Sequence, residues 1–486
     1  MTDSNSNYSD LPQGWKWVEL ENVVDILDKH RKPINSTERQ SRIEGKNPNQ
    51  LYPYYGATGQ VGYIDNYLLD GDFLLLGEDG APFFEPFKNV AYLVHGKIWV
   101  NNHAHVLKAH VSNAYLCYFL NQVDYHNYVT GTTRLKLNQS SMRKILIKLP
   151  PPSEQHRIVE KIEELFSELD NGVASLKKAL EQLKTYRQAV LKWAFEGKLT
   201  EKWRNTHQDS LEDADTLLEQ IKAERKRHYQ QQLEDWKQAL KEWENNGKET
   251  KKPTKPQQPK DLPPLTKEEL SNLPSLPNGW MWVKVDYLLS LDKKGMTTGP
   301  FGTLLKKSEH QISGIPVLGI ENIGNGVFLP KNKIFITEKK ARELSSFEVS
   351  GGDIIISRSG TVGEICLVPA YFGYSLISTN LIRISLNKTI ISPKFFVFLF
   401  LGGGSVREQV KELCKGSTRD FLNQTILQSI IFPFPSLQEQ TQIVQEIESR
   451  LSVCDQLEAT LTENLDKAEA LRQSILKRAF EGKLVL

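Results

Sequence analysis

Cysteine is scarce in this 486-residue chain: Cys117, Cys366, Cys414 and Cys454 lie far apart, with no CxxC pair among them. That spacing excludes a conventional zinc cluster and a disulfide framework, and the four are expected as reduced, mostly buried thiols. Long apolar runs are also missing: nowhere do about 18 apolar residues follow one another, so no membrane-spanning helix and no membrane partner are expected. Residues 1–10 form a polar tail without the apolar stretch of a secretory leader, and the expected location is the cytoplasm. Nucleotide-loop chemistry is absent as well. There is no GxxxxGK[ST] motif, and Gly197-Lys198-Leu199 and Gly247-Lys248-Glu249 lack the hydroxyl that would face magnesium. Phe400-Leu401-Gly402-Gly403-Gly404 matches a methyl-donor loop in letters only, because it follows a helical pattern, and it reads as a flexible loop after that helix. His103 and His105 can share one strand face, yet no third ligand stands near them in the sequence, so they read as core or surface histidines. Acid–lysine pairs such as Glu44 with Lys46 and Glu196 with Lys198 evoke a nuclease only weakly, and the second sits at a helix end, where a charged cap suffices. No catalytic residue, cofactor site or metal site is expected on this chain.

What the chain does contain is itself, twice. Leu11-Pro12-Gln13-Gly14-Trp15 returns as Leu276-Pro277-Asn278-Gly279-Trp280, an offset of 265. Tyr186 to Leu199, ending Ala-Phe-Glu-Gly-Lys-Leu, returns as Leu471 to Leu484 at an offset of 285. Each copy is large enough for a core of its own, so two similar domains related by a pseudo-two-fold repeat are expected rather than a solenoid. A net charge of +2 hides an uneven distribution: residues 11–150 carry 15 basic and 13 acidic side chains, residues 276–435 carry 18 and 12, and the remainder stands at −6. Basic domains on acidic connectors suit a protein whose domains meet an anion.

The first part of each copy, 11–150 and 276–435, is rich in short β-branched and aromatic runs broken by Gly and Pro, and reads as a mixed α/β domain. Ser112 to Gln122 and Ser392 to Gly402 read as matching apolar helices under the sheets. The second part is helical, opening at Pro150-Pro151-Pro152-Ser153-Glu154-Gln155 and at Pro435-Ser436-Leu437-Gln438-Glu439-Gln440, with the carboxylates favoured by the helix dipole. Apolar residues then recur at spacings of three and four, with one extra four in the first helix, at Ile158, Ile162, Leu165 or Phe166 and Leu169 onward in one copy and at Ile443, Ile447, Leu451 and Cys454 onward in the other, a coiled-coil period carrying a stutter. Neither helix can bury its stripe alone, so the two are expected to pair antiparallel as a coiled coil, each roughly 64 Å long. The helical regions are 151–246 and 436–486. The first has extra material, an amphipathic helix from Leu217 to Trp243, expected to lie on the long helices, then a stiff Pro/Lys-rich linker at 247–275. Gly131-Thr132-Thr133-Arg134-Leu135-Lys136-Leu137-Asn138-Gln139 is echoed by Gly416-Ser417-Thr418-Arg419-Asp420-Phe421-Leu422-Asn423-Gln424. Such a loop can hold phosphate oxygens, or it is simply a capped helix start.

This tandem of Leu-Pro-x-Gly-Trp, Gly-Asp at 71–72 and 352–353, Pro-x-x-x-Glu-Gln and Phe-Glu-Gly-Lys-Leu, each present twice and in order, resembles the specificity subunits of type I restriction-modification systems. The resemblance covers Leu11 to Leu486. It departs at the additional material of 200–275, and at Glu78-Asp79, where the second copy has Arg358-Ser359. It implies an α+β fold with two target recognition domains, each reading one half of a split, asymmetric sequence in double-stranded DNA. It also implies two methyltransferase subunits as partners and, through them, endonuclease-translocase subunits. S-adenosylmethionine, ATP and magnesium belong on those partners. Phosphate contacts are then expected from Arg31, Lys32, Arg134, Lys136, Lys306, Lys307 and Arg419, with the hydroxyls of Thr133 and Thr418 in the repeated loop. Base contacts are expected from Tyr54, Tyr55, Thr58, Glu78, Asp79, Thr297, Thr298, Arg358 and Ser359, arginine suiting guanine and carboxylates the cytosine amino group. The alternatives are a stand-alone coiled-coil DNA-binding factor of another defence system, or an enzyme.

Overall fold

The computed structural model describes residues 11–85, 87–208, 211–247, 251–256, 258, 262, 264–300, 304–415 and 420–485. They fall into two units, one made of 1–180 with 459–486 and the other of 181–458. Each unit therefore holds one mixed domain and a piece of each of two long helices, Pro152–Phe195 and Leu437–Phe480. Among the described residues, no helix is long and apolar enough to cross a membrane.

In the first unit a six-stranded mixed sheet runs in the order Val24–Ile26, Ala104–Ala109, Leu69–Gly77, Ala91–Val100, Tyr52–Gly56, Gly59–Ile64. Its one parallel pairing sets Tyr54 and Tyr55 against Trp99 and Val100. In the second unit the sheet material is divided into two four-stranded sheets. Met296–Thr298, Leu381–Ile384, Ile354–Ser357 and Ile365–Leu367 form one, and Ile334–Ile336, Ile315–Leu318, Ser375–Ile377 and Glu348–Val349 the other. What the units share is a frame. Lys16–Glu19 pairs antiparallel with Leu146–Leu149, and Met281–Lys284 pairs in the same way with Ile431–Phe434. A short apolar helix capped by a serine follows the same plan in both, Asn113–Leu120 on Ser112 and Pro393–Gly402 on Ser392.

The repeated motifs are where that frame is fastened. Gln155 and Gln440 accept the backbone N–H of Ser112 (3.1 Å) and Ser392 (2.8 Å), tying the start of each long helix to the apolar helix of its own domain. The neighbouring acids, expected only to favour the helix dipole, do more: Glu154 accepts the indole N–H of Trp15 (3.1 Å) and Glu439 that of Trp280 (2.9 Å). The helix ends are fastened crosswise. Gly482 closes the second long helix with φ +69° and lies so close to Pro12 that a Cβ would come within 2.3 Å of its ring; Gly197 (φ +71°) stands in the same relation to Pro277, at 2.4 Å. A left-handed glycine is what a helix C-terminus of this kind needs, and here the absent side chain also makes room for the proline. The end of each copy thus docks on the beginning of the other.

The expected antiparallel pairing holds inside each unit. In the first, Ile158 and Ile162 share a core with Ile475, Leu476, Ala479 and Phe480, and Arg472 lies over the Phe166 ring and pairs with Asp170. In the second, Ala194 and Phe195 pack with Ile443, Val444 and Ile447, while Arg187 reaches Asp455 (2.7 Å) and Glu458 (2.8 Å).

Three expectations are corrected. The additional helix, Ala214–Asn245, does not run along the long helices: Ile221 enters the core of the second domain beside Trp280 and Tyr287, Arg225 donates to the Asp286 carbonyl, and His228 faces Asp292. The segment after it is no free spacer, because the Trp236 indole donates to the Pro253 carbonyl, the Lys252 and Lys255 ammonium groups lie over Trp243 and Trp236, and the Leu262 carbonyl accepts the Tyr287 hydroxyl. Aromatic residues on the helix hold the Pro/Lys stretch through its aliphatic and cationic parts. The glycines at 402–404 are not a flexible loop either. Gly402 belongs to the apolar helix, where a Cβ would stand 2.1 Å from that of Leu191, and the next helix, Gly404–Leu413, starts two residues on. Gly402 lets the apolar helix touch Pro152–Phe195. The four thiols are unoxidised, and burial pushes Cys117 and Cys366 up to about 12.

Candidate nucleic-acid interface

In both domains the strand that contains the Gly-Asp motif or starts directly after it leads into the dipeptide that differs most pointedly between the copies: Glu78-Asp79 after Leu69–Gly77, and Arg358-Ser359 after Ile354–Ser357. The repeated loop fastens onto both in the same way. Leu137 donates its N–H to the Glu78 carbonyl (2.6 Å) and Leu422 to the Arg358 carbonyl (2.9 Å). Gln139 then donates to the Asp28 carboxylate (2.8 Å), and Gln424 to the Thr298 hydroxyl (2.9 Å). Backbone geometry is held while side-chain chemistry changes.

In the first domain the residues expected to meet phosphates and those expected to meet bases converge on one another. Glu78 pairs with Arg31 and with Lys136 (3.3 Å), and Asp79 pairs with Arg134 (2.5 Å). Arg31 is itself tied to Asp28 (3.2 Å) and to the Ala104 carbonyl (2.9 Å). The buried His105 presents its ring nitrogens to the Asp28 carboxylate (2.6 Å) and the Leu137 carbonyl (2.9 Å), joining the first strand region to the loop. Burial alone would raise the Asp28 carboxyl, but the hydrogen bond and charge of His105, with the Val106 and Gln139 N–H donors, hold it below its ordinary value. Gly77 is obligatory here: a Cβ would meet that of Ala81 at 2.4 Å and the Ala57 carbonyl at 3.0 Å, so only glycine lets the turn carrying the exposed Thr58 close over the strand end.

The histidine reading changes in detail. Asp28, Glu78 and His105 do offer three ligand atoms within 4.8 Å of one another, an arrangement not visible from sequence neighbours. Arg31 and Lys136 share the same carboxylates, so the charge is already balanced and the cluster is an ion-pair network. His103 stands apart, facing Asp79 at 3.0 Å.

In the second domain Thr298, Arg358 and Ser359 lie together. The Arg358 N–H donates to the Asn380 carbonyl (2.9 Å), the Ser359 hydroxyl to the Asn380 side-chain oxygen (2.9 Å), and Gly299, next to Thr298, to the Leu381 carbonyl (3.1 Å). Lys306 and Lys307 are exposed at a separate short turn capped by Glu309. Lys32 is exposed, and its carbonyl accepts the Trp99 indole N–H (2.7 Å); Thr133 is exposed on the loop. Thr418 and Arg419 lie outside the described residues. Two expected base contacts are packing residues instead. Tyr54 is 2% exposed, its hydroxyl bonded to both backbone groups of Ile34, and Thr297 is 3% exposed with its hydroxyl accepting from Arg383. Tyr55 is half-buried against Tyr92. Sequence reasoning missed Asp28, Gln139 and Asn380 and read His105 only as a core or surface histidine, because their roles depend on pairings across strands; Gln139 carried a signal in its recurrence as Gln424.

Two mixed domains built on the same frame, each holding a strand end of different side-chain chemistry through the same backbone bond, define a twin-module recognition protein. The family model described as "Type I restriction modification DNA specificity domain" matches residues 12–183 and 299–467. The chain belongs to that family. It is 23% identical over 480 residues to the EcoDI type I restriction enzyme specificity subunit of Escherichia coli, covering 98% of this chain and 89% of that one. A 152-residue stretch is 33% identical to a Haemophilus influenzae protein named as a type I restriction enzyme specificity subunit, covering 31% of this chain but only 37% of the relative. The fold is similar to the crystal structure of the HsdS subunit from Thermoanaerobacter tengcongensis, with a TM-score of 0.53, 18% identity and coverage of 98% and 99%.

Proposed function

We propose that this chain is the DNA-sequence specificity subunit of a type I restriction-modification complex, working in the cytoplasm. Each mixed domain reads one half of a split, asymmetric duplex sequence, the first through the Glu78-Asp79 end and the second through Arg358-Ser359. The observation that carries the reading is the conserved loop frame, Leu137 on Glu78 and Leu422 on Arg358, around residues of opposite charge. An enzyme with two equivalent active sites would keep the side chains and vary the surroundings; a two-part reader keeps the frame and varies the side chains. In this reading the chain performs no chemistry. Two methyltransferase subunits, binding S-adenosylmethionine, carry out modification, and endonuclease-translocase subunits using ATP and magnesium join through them. Half-sites read from one face of B-DNA are favoured about one helical turn apart, ~34–36 Å.

The test is to replace residues 20–140 with those of another specificity subunit, co-express with methyltransferase subunits, and map methylated adenines genome-wide. One half of the motif should change and the other persist. A change in both halves refutes independent readers, and methylation or cleavage by the purified chain alone refutes the non-catalytic role.

A further inference from the structure

In the first domain the carboxylates are enclosed and the cations are exposed. Asp79 and Glu78 have side chains only 21% and 12% exposed, whereas their partners Arg134 and Lys136 are 62% and 48% exposed at the ends of flexible stems. Glu78 is locked by Arg31 and by the Leu137 bond to its own carbonyl, and Asp79 by His103 and a backbone bridge to Lys136. Gly131 (φ +99°) makes the turn that folds Arg134 back, since a Cβ there would stand 2.4 Å from the Arg134 carbonyl.

We propose that Asp79 and Glu78 are resident substitutes for phosphate, which hold Arg134 and Lys136 until a DNA site supplies both a phosphate for each cation and an amino-bearing base for each released carboxylate. The inference rests on the chain being a DNA specificity subunit. On a random duplex, Arg134 can move to a phosphate only by leaving Asp79 with the His103 ring as its sole side-chain partner described, so one ion pair replaces another and the carboxylate takes up a counterion. No net counterion is released, and non-specific binding gains little from these two cations. Where the base edge presents an exocyclic amino group, cytosine N4 or adenine N6, the freed carboxylate is satisfied. A guanine O6 or thymine O4 there sets acceptor against acceptor, and the exchange fails. Glu78 and Asp79 then discriminate twice, by the base they accept and by withholding the phosphate contact elsewhere.

The experiment uses the full chain and a duplex lacking its methylation motif, with the affinity measured over a range of salt. Asp79→Asn should release Arg134 outright, steepening the slope of log K against log salt by about 0.9 and raising non-specific affinity about eightfold at 0.1 M salt. Arg134→Ala alone should leave that slope nearly unchanged, while adding it to Asp79→Asn should abolish the increase. Asp79→Glu, which keeps the charge, should restore the original slope. An unchanged or shallower slope in Asp79→Asn, with Asp79→Glu equally weakened, makes Asp79 merely structural and overturns the inference. If the unmutated chain binds no duplex, its own motif included, the specificity reading itself fails.

Discussion

Glu439 offers the sharpest measure of how the second unit is held. It is 2% exposed, and its carboxylate accepts from the Arg204 guanidinium (2.9 and 2.8 Å), the Thr200 hydroxyl (2.7 Å) and the Trp280 indole (2.9 Å). Three segments meet on that one group: the start of the second long helix, the turn after the first, and the opening of the mixed domain. Glu439→Gln leaves the shape but strands a buried guanidinium, and breaking a buried pair by removing one partner costs about 3–5 kcal/mol. Its counterpart Glu154 is half-buried and accepts from Trp15, and since a glutamine amide oxygen can still accept that N–H, Glu154→Gln only trades a charge-assisted bond for a neutral one, about 1 kcal/mol. With a urea m-value of about 2 kcal/mol per molar, the two substitutions should lower the midpoint of the affected unit by roughly 2 M and 0.5 M. Hydrogen exchange of strands Met281–Lys284 and Ile431–Phe434 against Lys16–Glu19 and Leu146–Leu149 assigns each loss to its unit. Adding Arg204→Met to Glu439→Gln should recover much of the loss, because the stranded charge is gone. Equal effects of the two glutamine substitutions, or no recovery in the double variant, would refute the argument that a buried charge pair fastens these segments.

Asp28 should make the first domain sensitive to acid. Its folded value lies below the ordinary 3.8, so its contribution is fully present above that value and disappears as pH falls through the folded value. Asp28→Asn should flatten the acid limb of stability against pH followed by tryptophan fluorescence; an unaltered limb contradicts the assignment. Removing 459–486 should undo the first unit and spare the second. Ile475, Leu476, Ala479 and Phe480 leave a core that includes Tyr115 and Phe119, a loss of about 6–8 kcal/mol, within the usual total stability of a domain. Proteolysis of the truncated chain should therefore cut within 11–150 long before 276–435, and equal resistance of both stretches would contradict it.

The frame was legible because its residues answer to local rules that a duplication displays twice. Alternating spacings of three and four foretell paired helices, and a serine before an apolar run foretells a cap. The site was legible only in part. Glu78, Asp79, Arg134 and Arg358 could be chosen as residues that differ or recur between copies, but their partners could not, because Asp28 reaches His105 and Gln139 through strand pairings that no periodicity encodes. Tyr54 and Thr297 were misassigned for a physical reason: hydroxyls beside glycine-rich turns look exposed in sequence, and both are consumed by backbone and guanidinium partners inside a sheet. The additional helix was misplaced because an amphipathic stripe announces that it must be covered and not by what.

The crosswise fastening explains why some motifs recur so faithfully while the material between them drifts. Leu-Pro-x-Gly-Trp must fit the Gly-Lys-Leu end of the other copy, so Pro12 answers to Gly482 and Pro277 to Gly197. A change at either junction has to be matched in the other copy, far along the chain, and it can be matched by the same residue type because both junctions are built alike. No such obligation between the copies binds Glu78-Asp79 or Arg358-Ser359, since the side-chain partners of Glu78 and Asp79, Arg31, Lys136, Arg134 and His103, all lie in their own domain. Their backbones are held by the Leu137 and Leu422 N–H groups, bonds that any side chain permits. The architecture therefore constrains the fasteners as a set of four and leaves each reader free singly, which is the condition under which one half of a recognition sequence can change without the other.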